Sequence, residues 1–408
     1  MPHLILFDNE VREQLLPFTY LRPICELRVG ILTIREKWER WMGGKVSWIT
    51  QDYLAEKYPI EFGDENLIIN GSVMPSEQLC TLLRQMEFNE ALLSGEELIA
   101  AKLDREQLNK LVNDEPFDDL KGFDLEDTEF LKLNRPWDIF ALNGKALAQD
   151  FQLLCEGRQS QALADSNRVV GPADRIFLEP GARVACATLN TEHGPIYIGR
   201  DAEVMEGCLI RGGFSLGEGA TLKMGAKIYG PTSIGALCKV GGEVKHSVIQ
   251  DYSNKSHDGY LGNSVIGSWC NLGADTNCSN MKNTYAEVKV WSYPDRAYIP
   301  TGHQFCGLFL GDHCSSGINA MFNTGTLAGI SCNLFDGGFP SRFVPSFSWG
   351  GAQGLTTYRP EKAFEAVERA YALKGKAFEV EDRLILLKVF EESAKFRIWE
   401  QSELTNDL

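Results

Sequence analysis

The clearest pattern in the chain is a six-residue repeat of aliphatic side chains within the stretch Ile196 to Asn280. If about a quarter of residues are aliphatic, eight consecutive positions of a six-residue repeat at a stated phase are all aliphatic by chance on the order of once in 10⁵. Glycine follows an aliphatic residue at positions eighteen apart, so three six-residue units make one structural turn. The aliphatic positions that keep this spacing without a slip are Ile198, Val204, Ile210, Leu216, Leu222, Ile228, Ile234 and Val240.

A period of six fits neither the 3.6-residue period of a helix nor the alternation of a long strand. Short strands joined by tight corners satisfy it, because each side of a three-sided solenoid then buries one aliphatic residue per turn. The repeat begins by Arg168, is interrupted, and resumes at Ile266 and Leu310. We expect loops to leave the solenoid at Lys245 to Gly259 and at Asn280 to Phe305, where function concentrates in such folds.

The chain ahead of the repeat alternates between apolar runs and helical spacing. Short apolar runs predict strands at Leu4–Phe7, Val46–Ile49 and Leu67–Ile69. Helical spacing at Ile31–Met42 and Ser76–Met86 falls between or after these runs. This order predicts an α/β domain in which helices cross between parallel strands.

These patterns predict four segments along the chain. We expect an α/β domain at 1–155, a polar, alanine-rich linker at 156–167, a solenoid at 168–340 and a C-terminal arm with helices at 341–408. The spacing of apolar residues after Gly354 predicts two helices, packed as a cap on the solenoid end or against a neighbouring subunit.

Charge and cysteine content limit the possible partners and compartment. The 40 basic and 56 acidic residues give a net charge of −16 without a Lys/Arg-rich block, so neither nucleic acid nor an anionic membrane is an expected partner. No apolar run of eighteen residues occurs and the N-terminus lacks the features of a signal peptide, which predicts a soluble, cytoplasmic protein. Eleven cysteines without a CxxC pair predict free, buried thiols. The acidic stretch Asp114 to Glu129 predicts an exposed loop rather than a metal site.

The segment from Arg12 to Pro23, REQLLPFTYLRP, resembles the signature loop of sugar-nucleotide pyrophosphorylases, R-L-x-P-L-T-x-x-x-P-K. In that family the loop follows a glycine-rich turn and holds the nucleotide phosphates through backbone N–H groups and an arginine. The resemblance implies magnesium-dependent transfer from UTP, with an acid such as Asp8 holding Mg²⁺. The nucleotide-binding residues that it implies are Arg12, Arg22, Asn70 and Gly71.

Two departures leave a second interpretation open for this segment. Asp8-Asn9-Glu10 occupies the place of the family's glycines, and Ile24 that of its lysine. The same residues could therefore pack a loop in a domain that has no turnover of its own.

A second motif lies within the stretch Lys245 to Asn280. The run HDGYLGNSVIGSWCNLGA from His257 to Ala274 resembles the acetyltransferase half of the GlmU-type bifunctional N-acetylglucosamine-1-phosphate uridylyltransferases. That pattern reads K-x-x-H-x-x-Y-x-G-D-x-x-I-G-x-x-x-N-x-G-A-G-T. The resemblance implies a left-handed parallel β-helix, acetyl-CoA as co-substrate and a homotrimer.

The resemblance also implies roles for individual residues. His257 corresponds to the general base, which takes a proton from the attacking amine near pH 7. The backbone N–H of Ala274 corresponds to a group near the thioester, where it stabilises the developing oxyanion. The substrate-binding residues that it implies are Lys245 for the phosphate, Tyr260, Asn271 and Asn280 for the sugar, and Lys227, which lies near Tyr229 where the family has an arginine.

Taken together, the motifs predict UDP-N-acetylglucosamine synthesis from glucosamine-1-phosphate, acetyl-CoA and UTP. One alternative is a sugar-phosphate acetyltransferase whose N-terminal domain only binds nucleotide or regulates. A second is a γ-type carbonic anhydrase, in which three histidines from the set His246, His257, His303 and His313 would converge on zinc between subunits. A third is a scaffold subunit without catalysis.

Overall fold

The structure, a computed structural model, describes residues 2–116, 120–125 and 128–400. The chain forms two compact units. The first contains Met1–Leu15, Leu21–Leu27 and Leu32–Arg135. The second contains Leu16–Tyr20, Arg28–Ile31 and Pro136–Leu408.

The first unit is built on a six-stranded mixed sheet. Its strands lie side by side in the order Val46–Ile49, His3–Phe7, Glu65–Asn70, Glu97–Asp104, Glu90–Ser94 and Lys121–Asp124. The first three are parallel, which confirms the predicted α/β arrangement. The next two form an antiparallel hairpin that the apolar pattern did not reveal.

Three of the described α-helices of the first unit begin at a polar side chain that caps free N–H groups. Thr33 and Glu36 form a reciprocal capping box at the start of helix Ile34–Met42, and Ser76 caps helix Glu77–Gln85. The remaining helices of this unit are Val11–Gln14 and Arg105–Val112. The two longer helices confirm the predicted helical segments, with starts a few residues later at the capping residues.

Part of the acidic stretch Asp114 to Glu129 differs from the predicted loop. Lys121–Asp124 pairs in parallel with Glu90–Ser94 as an exposed edge strand. Residues 117–119 and 126–127 lie outside the described residues. The high charge of this strand suits an edge position, where unpaired backbone groups face water.

The second unit contains a parallel β-solenoid with three faces, as the six-residue repeat predicts. The first face is formed by Arg168–Val170, Thr188–Asn190, Leu209–Arg211, Lys227–Tyr229, Glu243–Lys245 and Tyr260–Gly262, followed by the pair Asn277–Cys278 and Met321–Phe322. The second face is formed by Ile176–Leu178, Ile196–Ile198, Phe214–Leu216, Thr232–Ile234, Val248–Ile249, Val265–Ile266, Leu308–Leu310, Thr326–Ala328 and Phe343–Val344. The third face is formed by Arg183–Val184, Glu203–Val204, Thr221–Leu222, Lys239–Val240, Asn254–Lys255, Asn271–Leu272, Ser315–Ser316, Asn333–Phe335 and Ser348–Gly351, with Gly354–Thr357 antiparallel at its edge.

The core of the solenoid is a stack of aliphatic and thiol side chains. Ile198, Leu216 and Ile234 follow one another in register along the second face, and all are buried. Small residues and cysteines such as Cys208 and Cys238 fill the corners of the same core. All eleven cysteines are free and nine of them are buried, which confirms the prediction of free, buried thiols.

The predicted loop from Lys245 to Gly259 is wrong, because this stretch forms a complete turn of the solenoid. Val248–Ile249 and Asn254–Lys255 continue the second and third faces. Ile234 pairs with Ile249, a spacing of fifteen residues instead of eighteen. A turn shortened by three residues shifts the hydrophobic phase by half a repeat, although the three-sided geometry continues.

The second predicted insertion is confirmed. Between Asn280 and Phe305 the chain leaves the corner between the first and second faces and forms an antiparallel hairpin. Its strands are Lys289–Ser292 and Ala297–Pro300. The chain returns through a backbone hydrogen bond from Cys306 to the carbonyl of Asn280. The insertion therefore begins and ends at the same corner.

The helix Asn143–Cys155 packs on the second face, following the short helix Asp138–Ala141. The side-chain oxygen of Asn143 accepts hydrogen bonds from the Gly30 N–H at 2.8 Å and from the Ser233 hydroxyl at 2.9 Å. Asp150 accepts from the Ile31 N–H at 2.8 Å. Gly30 has a positive φ of 86°, and a Cβ there would collide with Asp150, so only glycine fits this contact.

The two C-terminal helices lie along the corner between the second and third faces. Helix Pro360–Ala372 places Tyr371 against Trp269, with ring centroids 4.1 Å apart. Helix Val380–Ser393 places Phe390 against Phe347 in the last turn. The helices are confirmed, but the first of them packs along the side of the solenoid instead of capping its end.

Strands of the solenoid occur on both sides of residue 340, from Arg168 to Gly351. The helix Asn143–Cys155 groups with the solenoid in the second unit. Among the described helices, none combines the length and hydrophobicity that crossing a bilayer requires. The handedness of the solenoid stays an expectation from the family resemblance.

One core position of the solenoid carries a charge. Lys255 is in register with Val240 on the third face, and its side chain is buried. Its ammonium donates to the carbonyls of Gly241 at 3.1 Å and His257 at 2.7 Å. Burial lowers the Lys255 pKa to about 8, because the charged form is poorly solvated there.

This burial predicts a specific pH dependence of stability. Because folding lowers the Lys255 pKa from 10.5 to about 8, the unfolded chain binds more protons between these pH values. The contribution of Lys255 to the free energy of unfolding therefore rises with pH through this window. We expect Lys255→Met to remove that rise in urea unfolding curves. Lys239→Met, which changes an exposed lysine in the neighbouring turn, should retain it. Equal pH slopes in the two variants would contradict the buried charge.

Candidate active site

The corner between the first and second faces carries a column of polar side chains. The last residue of each first-face strand pairs in register with the last residue of the next. This column contains Asn190, Arg211, Tyr229, Lys245 and Gly262. Neighbouring strands in a sheet lie about 4.8 Å apart, so these positions form a track along the solenoid axis.

Three residues predicted to bind substrate meet at one end of this track. The amide of Asn280 donates to the Tyr260 hydroxyl at 3.0 Å and to the Asn263 side chain at 2.8 Å. Tyr260 lies across Gly262, where a Cβ would collide with the tyrosine hydroxyl. Lys245 is the register partner of Gly262 in the preceding turn. The structure therefore brings Lys245, Tyr260 and Asn280 together at the corner, as the motif implies.

The electrostatics of this corner favour a neutral phenol beside a cation. The pKa of Tyr260 is raised by burial first and then by the negative charge of Glu243. Tyr260 thus keeps its proton and can donate a hydrogen bond. The Lys245 ammonium lies 6.0 Å from the centre of the Phe305 ring, at the end of the insertion. The arrangement offers a cation, a hydroxyl and an amide to a polar ligand.

His257 and Ala274 occupy another corner, between the third and first faces. They lie in adjacent turns, which are joined by a hydrogen bond from the Asp275 N–H to the Asp258 carbonyl at 3.1 Å. His257 is exposed, and within the described residues its imidazole makes no hydrogen bond. The N–H of Ala274 is likewise without a hydrogen bond in the part of the chain that the structure describes. The predicted base and the predicted oxyanion donor are therefore stacked one above the other, both open to a ligand.

Asn271 lies on the third face, away from Tyr260 and Asn280. It is exposed and pairs in register with Asn254 and Ser315. Asn254 and Asn271 therefore stack on one another along the third face. The structure does not bring Asn271 into contact with the other candidate sugar-binding side chains.

Lys227 does not lie in the column that contains Lys245. Lys227 is exposed and pairs with Glu243, at the end of its strand opposite to Tyr229. Tyr229 is the register partner of Lys245, and Arg211 lies one turn further along. The sequence interpretation missed Arg211, although it stands eighteen residues before Tyr229, at the spacing of one full turn.

In the first unit the predicted nucleotide-binding residues are mostly buried. Asp8 accepts hydrogen bonds from the Ile24 N–H at 2.8 Å and the Thr50 hydroxyl at 2.6 Å. Arg12 lies 3.5 Å from the Asp8 carboxylate and donates to the Tyr53 hydroxyl at 2.6 Å. Burial raises the pKa of Asp8, against the opposing effect of its hydrogen bonds and of Arg12. These contacts favour the interpretation in which both side chains pack the loop.

A second buried network surrounds Asn70. Its amide donates to Glu97 at 3.0 Å, and Glu97 also accepts from Asn9 at 2.8 Å and contacts Lys132. Gly71 donates its N–H to the Phe7 carbonyl at 2.8 Å. Arg22 is half-buried on the loop. Sequence reasoning missed Glu97. Its carboxylate connects Asn9, which follows strand His3–Phe7, with Asn70 at the end of strand Glu65–Asn70.

The described residues contain no group of three or more His, Cys, Asp or Glu side chains that could hold a metal ion. The Asp8 carboxylate is buried and engaged by Ile24, Thr50 and Arg12, so these contacts compete with a magnesium ion for it. The histidines considered for zinc do not converge within the chain. His246, His257 and His313 follow strands of the first, third and second faces, and so lie at three different corners.

Comparison with known proteins finds one family model and several bifunctional enzymes that match part of the chain. Residues 4–159 match the family model described as sugar nucleotidyl transferase. The chain is 33% identical over 153 residues to a bifunctional sugar-1-phosphate nucleotidylyltransferase/acetyltransferase of Sulfurisphaera tokodaii, covering 37% of this chain and 38% of that protein. It is 28% identical over 166 residues to the bifunctional protein GlmU of Geotalea uraniireducens, covering 35% of this chain and 36% of that protein.

One solved structure shows weak similarity to this chain. A mutant of AntD, an N-acyltransferase from Bacillus cereus in complex with dTDP and coenzyme A, is 13% identical with a TM-score of 0.23, and the match covers 53% of this chain and 100% of that chain. The chain spans less than two fifths of the length of the two curated relatives. Residues 4–159 thus match the sugar nucleotidyl transferase family, and the chain is similar to bifunctional nucleotidylyltransferase/acetyltransferases over 35–37% of its length.

Proposed function

We propose that the solenoid transfers an acetyl group from acetyl-CoA to the amine of an amino sugar phosphate. The observation that carries this proposal is the convergence of Lys245, Tyr260 and Asn280 at one corner. A lysine beside a phenol and an amide can bind a phosphate together with sugar hydroxyls. The relatives named as nucleotidylyltransferase/acetyltransferases support the same reaction class.

The chemistry assigns distinct tasks to the other candidate residues. The neutral amine attacks the thioester carbonyl, so that a carbon–nitrogen bond forms while the carbon–sulfur bond breaks and coenzyme A leaves as a thiol. The imidazole of His257 accepts the amine proton, and its exposed position leaves room for the substrate to approach. The free N–H of Ala274, one turn away, is suited to stabilise the oxyanion of the tetrahedral intermediate.

For residues 4–159 we propose sugar-1-phosphate nucleotidyl transfer, with UTP as donor and UDP-N-acetylglucosamine as the product of the two activities together. The family match supports this assignment. Magnesium would accompany the nucleotide, and Asp8 remains its proposed ligand once the contacts to Ile24 and Thr50 are released. Arg12, Arg22, Asn70 and Gly71 remain the proposed nucleotide-binding residues.

A second candidate function is favoured by a specific observation in the same unit. Arg12 is engaged with Asp8 and Tyr53, and its side chain is buried. An arginine held in this way is less available to a nucleotide phosphate. In this alternative the first unit binds nucleotide or regulates, and the solenoid alone is catalytic.

We further propose that the protein acts in the cytoplasm as a homotrimer. The absence of disulfides among eleven free cysteines suits a reducing compartment. The exposed positions of His257 and Asn271 leave them accessible to a neighbouring subunit. Light scattering of the full chain tests the assembly, and a stable monomer would refute the trimer.

The general-base role of His257 predicts a loss of turnover on its removal. We expect His257→Ala to lower kcat for thiol release from acetyl-CoA with glucosamine-1-phosphate by about 10²- to 10⁴-fold. KM should change less than kcat, because a general base acts mainly in the transition state and contributes little to ground-state binding of the sugar. The matched control His313→Ala alters a histidine at the corner between the second and third faces and should retain activity. Unchanged turnover in His257→Ala would remove His257 from the mechanism.

The two functions proposed for the first unit predict different products. If residues 4–159 are catalytic, N-acetylglucosamine-1-phosphate and UTP with magnesium should release pyrophosphate. The assay uses protein whose acetyl transfer has been measured in the same preparation. Acetyl transfer without pyrophosphate release would favour the binding or regulatory alternative.

A further inference from the structure

We propose that Lys145, on the helix Asn143–Cys155, binds the phosphate of the sugar-1-phosphate acceptor together with Lys245. This inference rests on the proposed acetyl transfer and adds a substrate-binding residue to it. The acetyltransferase motif has an arginine near the position of Tyr229, where this chain has a neutral side chain. Lys145 supplies the missing positive charge from outside the solenoid.

The first turn of the helix lies against the solenoid at the level of the proposed phosphate contact. A Cβ added at Gly144 would lie 3.1 Å from Pro231 Cγ, so the helix backbone closely approaches the corner that follows Tyr229. Tyr229 is the register partner of Lys245 in the next turn, about 4.8 Å away. Lys145 therefore leaves the helix about one solenoid turn from Lys245.

Contacts on both sides of Lys145 fix the helix in this position. Asn143 accepts a hydrogen bond from the Ser233 hydroxyl at 2.9 Å. One helical turn later, Leu147 packs on a neighbouring corner, where a Cβ added at Gly213 would lie 3.2 Å from Leu147 Cδ2. Because these two contacts flank Lys145 in the sequence, the backbone that carries it is held in place before a substrate binds.

Lys145 and Lys245 line the same cleft, one from the helix and one from the solenoid. The volume of this cleft is about 730 Å³, within the range of small-molecule sites. The other described helical residues that line it are small, namely Ala141, Gly144 and Ala148. The helix therefore leaves the space open and contributes a single charged group to it.

The two ammonium groups in this cleft have no counter-charge. Neither Lys145 nor Lys245 makes a hydrogen bond or an ion pair with a residue that the structure describes. Among the described residues that line the cleft there is neither Asp nor Glu. A phosphate monoester carries between one and two negative charges near pH 7 and would supply the counter-charge.

The other basic side chains of the cleft are less suited to share this phosphate. Arg211 lies two turns, about 10 Å, from the level of Lys245. Its guanidinium contacts a ring nitrogen of His193 at 2.9 Å, in the turn further from Lys245. Burial, and then the charge of Lys245, lower the pKa of His246, so its imidazole is neutral near pH 7.

The sugar site sets where the phosphate lies. Tyr260 and Asn280 are hydrogen-bonded to each other, and the Tyr260 hydroxyl lies over Gly262, the register partner of Lys245. A sugar held by these two side chains directs its 1-phosphate toward Lys245 and the cleft. Lysine binds phosphate as a point charge, so a second lysine from the opposite side compensates for the absent bidentate arginine.

The test measures thiol release from acetyl-CoA with two acceptors, glucosamine-1-phosphate and glucosamine, which lacks the phosphate. We expect Lys145→Met to lower kcat/KM for glucosamine-1-phosphate about tenfold or more, the value of one charge-assisted hydrogen bond. The loss should appear mainly in KM, because the contact is already made in the bound substrate. The value for glucosamine should stay unchanged.

Two further variants serve as controls for the charge and for its place. Lys145→Arg keeps a positive charge on the helix and should retain most of the preference for glucosamine-1-phosphate. Lys239→Met removes an exposed lysine from the third face and should change neither value. Circular dichroism checks that each variant is folded.

A calorimetric binding arm separates failure of this inference from failure of acetyl transfer. Glucosamine-1-phosphate should bind the wild type more tightly than glucosamine does, and Lys145→Met should remove most of the difference. Such binding without thiol release would support the phosphate site and refute the proposed transfer. If thiol release keeps its full preference for glucosamine-1-phosphate in Lys145→Met, the inference is overturned while acetyl transfer stands.

Discussion

The stacking of one inward side chain per face and turn is the constraint on which the solenoid depends. Because consecutive turns pair in register, residues such as Ile198, Leu216 and Ile234 must fill the same narrow core. The chain can add or omit residues only at the corners. Side chains at equivalent corner positions consequently stack as well, about 4.8 Å apart. The same geometry that buries the core therefore aligns the polar columns that carry the candidate chemistry.

Core and site are coupled where the stack is broken. Lys255 replaces an aliphatic residue in the core, and its ammonium bonds to the carbonyl of His257. A buried ammonium requires such acceptors, since an unpaired charge is costly away from water. The hydrogen bond fixes the backbone at the corner that presents the candidate base. Gly262 also shapes the candidate site, because the absence of a side chain there leaves space for the Tyr260 ring.

The first unit illustrates the opposite use of polar residues. A phosphate-binding loop exposes backbone N–H groups to its ligand, whereas Asp8 and Glu97 here accept hydrogen bonds from neighbouring loops. Such buried networks hold strand ends in place and are costly to open. The departures from the family loop at Asp8-Asn9-Glu10 thus correspond to internal contacts. A nucleotide that used Asp8 or Glu97 would have to break these hydrogen bonds.

The sequence by itself determined the solenoid, its three faces and the α/β domain, because their hydrophobic periods follow directly from local geometry. It also predicted that Lys245, Tyr260 and Asn280 act together, and the structure places these residues at one corner. Only the tertiary structure decided which residues stack, because each pairing depends on the length of every turn. The turn from Ile234 to Ile249 has fifteen residues instead of eighteen, and for this reason the sequence pattern predicted a loop where the structure has a regular turn of the solenoid. The same shortening makes Tyr229, and not Lys227, the register partner of Lys245. Arg211 lies in the same column as Lys245 because strand register, and not a local motif, fixes the position of one relative to the other.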